Sequence, residues 1–149
     1  MTRINSAIPV KSLTDEHLLA EHREIKRLPR CLVKAISSGS IARIPKDFTL
    51  GTGHVLFFLD KMKFICNRYE MIYKECLSRG INVTSYKSSF DMIFKNPEYH
   101  KYFNDYVPTV REKALLVSRI TDRITESKKL SWHFASVAIS PAEAIDLLK

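Results

Sequence analysis

The chain has 149 residues, 45% hydrophobic and 27% charged, with 24 Lys and Arg against 16 Asp and Glu, for a formal net charge of +8. That length suits one domain with a sizeable core, and four Gly with no G-x-G-x-x-G or G-x-x-x-x-G-K-[ST] pattern exclude a Gly-rich phosphate loop. Apolar runs are short, "VLFFL" being the best, so nothing reads as a membrane span.

Taken in chain order, the first stretch, "MTRINSAIPVKSLTDEH", is interrupted by Arg, Asn, Lys and acids and is no signal peptide, which places the protein in the cytosol. Its second residue is a small Thr, the kind that favours removal of Met1 and leaves a free amine beside Arg3. Thr14 then caps a helix whose first turn, "DEH", sets two acids against the helix dipole. Leu18, His22, Ile25, Leu28 and Leu32 recur at three- and four-residue steps as one buried stripe. Pro29 removes a backbone donor and clashes with the Ile25 carbonyl, so the helix should kink or break there.

A second helix is expected through "GHVLFFLDKMKFICNRYEMIYKECLSRG", where Val55, Phe58, Leu59, Met62, Ile65, Cys66, Tyr69, Ile72, Tyr73, Cys76 and Leu77 keep helical spacing and Gly80 stops it. An aromatic-rich connection, residues 81–107, leads to a third helix that opens on a Thr109/Glu112 capping box. A short last helix starts at Ser140 with Pro141 in its first turn. Strand alternation is almost absent. The expectation is an all-α fold: a compact single domain over 1–149, of three principal helices plus a short C-terminal one.

Three cysteines (Cys31, Cys66, Cys76) lie far apart with no C-x-x-C, and the five His show no ligand spacing with them, so buried reduced thiols are expected and no metal site. The net charge is more informative. A surface this basic favours polyanions, because each neutralised phosphate releases condensed counterions. At about 100° per residue, Arg23, Arg27, Arg30 and Lys34 fall within one sector of about 60° if the first helix continues past Pro29. That cationic ridge holds no acid, whereas solvated faces usually mix signs. Glu24 and His17 project together between the ridge and the apolar stripe, and Glu21 falls within the stripe. A carboxylate beside a row of arginines is either an ion pair or a group held ionised, ready to accept a proton.

"MTRIN", followed by "DEHLLAEHRE", "LPR", "GTGHVLFFLDK" and "ECLSRGINV", resembles the pyrimidine-dimer DNA glycosylases of the phage endonuclease V type. The match runs from Met1 to about Trp132, five segments in the right order. The resemblance implies a compact three-helix fold and a bifunctional N-glycosylase and abasic-site lyase. It places Thr2 on the family's nucleophile, its α-amine, and Glu24 on the catalytic carboxylate. Arg3, His17 and Arg23 fall on positions that hold DNA around the lesion. The family's Pro-Arg corresponds to Pro29-Arg30, displaced by an insertion equivalent to "IKR", which leaves both Arg27 and Arg30 as candidates for that arginine's role. Arg119 and Arg123 match a basic pair that contacts backbone phosphates. The aromatic tail that packs near the lesion in the family is reduced here to Trp132, His133 and Phe134, and residues 140–149 form a C-terminal extension.

The implied chemistry is coherent. An α-amine titrates far below Lys, so a usable fraction is neutral near pH 7 and can attack C1′ to form an imine. Glu24 would stabilise the cationic sugar and assist removal of the 2′ proton. No metal or organic cofactor is required. The implied partner is double-stranded DNA carrying pyrimidine dimers or abasic sites, bound by a monomer in the cytoplasm of a bacterium or phage-infected cell, kinked and with a nucleotide flipped out. A glycosylase for another base lesion would share this chemistry. A non-catalytic basic DNA-binding module would need the ridge and the Arg119/Arg123 pair but neither Thr2 nor Glu24. A generic RNA-binding helical domain fits the charge, but no RNA module motif appears.

Overall fold

A computed structural model describes residues 3–149. They form helices α1 (Asp15–Ile25), α2 (Leu28–Ser38), α3 (His54–Phe57), α4 (Met62–Ser78), α5 (Asp91–Lys95) and α6 (Val110–Glu126). A hairpin of β1 (Trp132–Phe134) and β2 (Val137–Ile139) follows, and then α7 (Pro141–Asp146). The fold is all-α, with that hairpin as the sheet among the described residues.

Local rules account for most boundaries. The Thr14 side chain accepts from the His17 backbone N–H at the start of α1. Pro29 does break the first helix: α1 ends at Ile25, and Pro29 sits in the first turn of α2, where its missing N–H costs nothing. Both capping boxes, Thr109/Glu112 and Ser140/Glu143, form with both reciprocal bonds. Leu18, His22, Ile25, Leu28 and Leu32 are all buried, and α1 packs across α4.

The second expected helix is two. Lys61 takes φ −124° and ψ 41°, and its Nζ donates to the Phe57 carbonyl at 2.8 Å, satisfying a helix-end acceptor and closing α3 four residues after it starts. Apolar spacing runs through this corner because both sides face one core. Leu77, read as part of the stripe, is half exposed, and of the three thiols expected to be buried only Cys76 is, while Cys31 and Cys66 are partly exposed. The hairpin carries no local turn signal, since its two-residue turn is Ala135-Ser136, with φ of 50° and 68°, in place of the Gly or Asn such turns favour.

Candidate active site

The N-terminal segment is drawn into the core. Ile4 and Ile8 are fully buried, and the Ile4 amide donates to His54 Nε2 at 2.9 Å. Since Nε2 accepts, Nδ1 carries the proton and donates to the Thr49 carbonyl at 2.9 Å. Burial holds the imidazole below its ordinary pKa, which suits this neutral tautomer. Beneath the segment, Arg68 on α4 donates to the Ile8 carbonyl at 2.7 Å and to both oxygens of Glu21 at 2.8 and 3.1 Å. Glu21 sits in the apolar stripe because it has this partner.

Anchored so, the segment carries Arg3 to a cleft of about 130 Å³, lined also by Asn5, His17, Glu21, Glu24, Arg119 and Arg123. Helix α1 contributes His17, Glu21 and Glu24 from one face, at three- and four-residue steps. Helix α6 contributes Arg119 and Arg123, one turn apart. Arg119 donates to Asn5 Oδ1 at 3.3 Å, yet its Nε and Nη1, and Arg3 Nε, are buried without a hydrogen-bond partner among the described residues. Burial, then Arg3 and Arg123, pushes Arg119 down to about 10. Burial and Arg123 lower Arg3 as well. Such unspent donors converging on a cleft suit phosphodiester oxygens. Glu24 accepts from Arg27 Nη1 at 2.7 Å across the α1–α2 corner.

His17 is half buried. Its Nδ1 lies 2.8 Å from Thr14 Oγ1, and its ring stacks on Trp132 with centroids 5.1 Å apart and planes 8° from parallel. Burial pushes it down to about 4; Glu16 works against that shift, while Arg123, Arg119 and Lys129 add to it. Trp132 is only 6% exposed, with the Lys129 ammonium 4.5 Å above its ring. Its face meets His17 instead of solvent.

The cationic ridge is regrouped by the break at Pro29. Arg27, Arg30 and Lys34 line a hollow of about 520 Å³ with Lys26 and Tyr86, and Arg23 lines a smaller neighbouring hollow that also includes Tyr86. Thr2 lies outside the described residues, as does Met1. Sequence reasoning missed His54, Arg68 and the Asp15–Arg79 pair at 3.0 Å, all long-range partners. Only the buried position of Glu21 signalled that a cation had to face it.

A family model described as pyrimidine dimer DNA glycosylase matches residues 1–89, more than half of the chain. The chain belongs to the pyrimidine dimer DNA glycosylase family. In this glycosylase the matched segment supplies Arg3, His17, Arg23, Glu24, Arg27 and Arg30, whereas Arg119, Arg123 and Trp132 lie beyond it. One side of the cleft, formed by Arg119, Ile120 and Arg123 of α6, thus comes from outside the matched residues. Among the described residues no helix is long and apolar enough to cross a membrane.

Proposed function

We propose that this glycosylase excises cyclobutane pyrimidine dimers from duplex DNA and then nicks the abasic site by β-elimination, with the α-amine of Thr2 as nucleophile once Met1 is removed. The neutral amine attacks C1′ of the damaged nucleotide, and the glycosidic bond breaks with its electron pair leaving on the base. The sugar ring opens to an imine. Loss of a 2′ proton then expels the 3′ phosphate, and water hydrolyses the imine to free the amine. Glu24 offsets the positive charge that develops on the sugar and accepts the 2′ proton, directly or through a water. Arg3, Arg119 and Arg123 hold phosphates around the cleft, His17 and Arg23 hold the lesion, and Arg27 and Arg30 extend the contact along the backbone. The whole chain acts as one catalytic unit and binds as a monomer, with residues 140–149 as its extension.

The observation that carries this reading is the convergence of Glu24 with three arginines, one of them Arg3, the residue covalently next to Thr2. Borohydride added during incubation with dimer-containing or abasic duplex tests it. An amine–carbonyl intermediate is reduced to a stable adduct, and peptide mapping should place the DNA on Thr2. Protein with an acetylated α-amine should keep its helices and form no adduct, while Thr2→Ser, which keeps an amine, should remain active. Normal dimer cleavage by protein shown by mass to retain Met1 would refute the mechanism.

A further inference from the structure

The C-terminal hairpin is held to α1 by two acids. Asp15 Oδ1 accepts from the Ala135 amide at 2.9 Å, and Oδ2 accepts from the Ser136 amide at 2.7 Å. These two residues have left-handed backbone without being Gly or Asn, a conformation in which Cβ crowds the following carbonyl oxygen. The turn therefore depends on the carboxylate that collects its amides. Arg79 fixes that carboxylate: its Nη1 reaches Asp15 Oδ1 at 3.0 Å, its Nη2 the Val10 carbonyl at 3.2 Å and its Nε Glu75 at 2.9 Å, with the guanidinium 4.0 Å from the Phe134 ring centroid. Glu16 adds a bond from the His133 amide at 2.8 Å. The outcome lies at the other end of β1, where Trp132 closes over His17 and leaves it fixed between Thr14 and an indole face.

We propose that Asp15 is a positioning residue for the glycosylase site: by clasping the Ala135-Ser136 turn it seats Trp132 on His17 and so sets the wall of the cleft that receives damaged DNA. This rests on the reading above only in taking His17 to face the DNA. Asp15 touches no reacting atom. It acts through the hairpin, and Trp132 contributes to lesion binding through His17, not by offering its own face.

The chain has one tryptophan, so its fluorescence reports the seat of the hairpin directly. Asp15→Asn should shift Trp132 emission to the red and raise its acrylamide quenching at unchanged helix content. The KM for dimer-containing duplex should rise by roughly two- to ten-fold, the range set by the loss of one aromatic pair, with kcat changed less than KM. Trp132→Ala should raise KM likewise, and Trp132→Phe, which keeps a ring on His17, should restore it. The double variant Asp15→Asn/Trp132→Ala should bind no worse than Trp132→Ala alone, because both act along one path. Should Asp15→Asn fail to fold, Ala135→Pro removes one clasped amide and cannot hold φ 50°, while leaving the Asp15–Arg79 pair intact. It should give the same red shift and the same KM. An unseated Trp132 with wild-type KM, or additive losses in the double variant, would overturn the proposal. Neither result would touch the borohydride adduct on Thr2, so the two readings fail separately.

Discussion

Two glutamates three residues apart on α1 face the same cleft, and they should respond to mutation in opposite ways. The Glu21 side chain is 0% exposed and its partner Arg68 is 4% exposed. In Glu21→Ala the guanidinium keeps the Ile8 carbonyl at 2.7 Å and loses both carboxylate bonds, which leaves a buried cation without a counter-charge. Breaking a buried pair in this way costs about 3–5 kcal/mol. For a chain of this size, each kcal/mol lowers the melting temperature by roughly 2–4 °C, so a fall of roughly 6–20 °C is expected. Glu21→Leu combined with Arg68→Met removes both charges at similar volume and should recover at least half of that loss, although the Ile8 carbonyl then lacks its donor. Urea denaturation followed by circular dichroism measures each step, and dimer cleavage assayed well below the melting point measures the other half. Glu21→Ala should retain cleavage within about ten-fold, a loss of up to about 1.4 kcal/mol in transition-state binding. A cost below about 1 kcal/mol for the single variant, or a double variant as unstable as the single, would refute the buried-pair account.

Glu24→Gln keeps the shape of the side chain but cannot accept a proton or offset a developing cation. Duplex binding should survive while single-turnover base release and strand cleavage collapse, and unchanged rates would return Glu24 to a plain ion pair with Arg27. Arg119→Ala and Arg123→Ala should each weaken binding to undamaged duplex and flatten the log–log salt dependence by about one unit; a slope equal to wild type would remove that residue from the interface. His17, held at about 4 against an unfolded value of 6.5, is neutral in both states above pH 6.5. As pH falls from there the unfolded chain takes up the proton first. The stability this group protects is therefore complete above pH 6.5 and is lost progressively towards pH 4, by up to about 3 kcal/mol. Urea midpoints at pH 7 and pH 4.5 should differ less in His17→Gln than in wild type, and equal differences would show that His17 is not held in this way.

The periodic elements were legible in the sequence because each is specified by neighbours three or four residues away. The stripe on α1, the break at Pro29 and the caps at Thr14, Thr109 and Ser140 all belong to this class. The corner at Lys61 was not, since the apolar spacing continues across it and the carbonyl that ends α3 is taken by a side chain that reads as surface charge. The site was half legible. Motif order placed Arg3, His17, Glu24, Arg119 and Arg123, and the fold gathers all five into one cleft. What holds them there was hidden. The His54–Ile4 bond spans 50 positions, Glu21–Arg68 spans 47 and Asp15–Arg79 spans 64. A single chain gives no local sign of such pairs beyond a polar residue set where an apolar one is expected.

The three arginines of the cleft would tie the stability of the protein to a bound polyanion. Arg3, Arg119 and Arg123 repel one another, and buried N–H groups of Arg3 and Arg119 have no hydrogen-bond partner among the described residues. Under the function proposed above, phosphate oxygens would supply both a counter-charge and acceptors, so the folded state would gain from DNA what the unfolded chain cannot. A duplex at a hundred times its dissociation constant adds about 2.7 kcal/mol to the folding free energy of whatever binds it. On that reading the same three side chains hold the free protein below the stability its core alone would give, and bound duplex should raise its melting temperature.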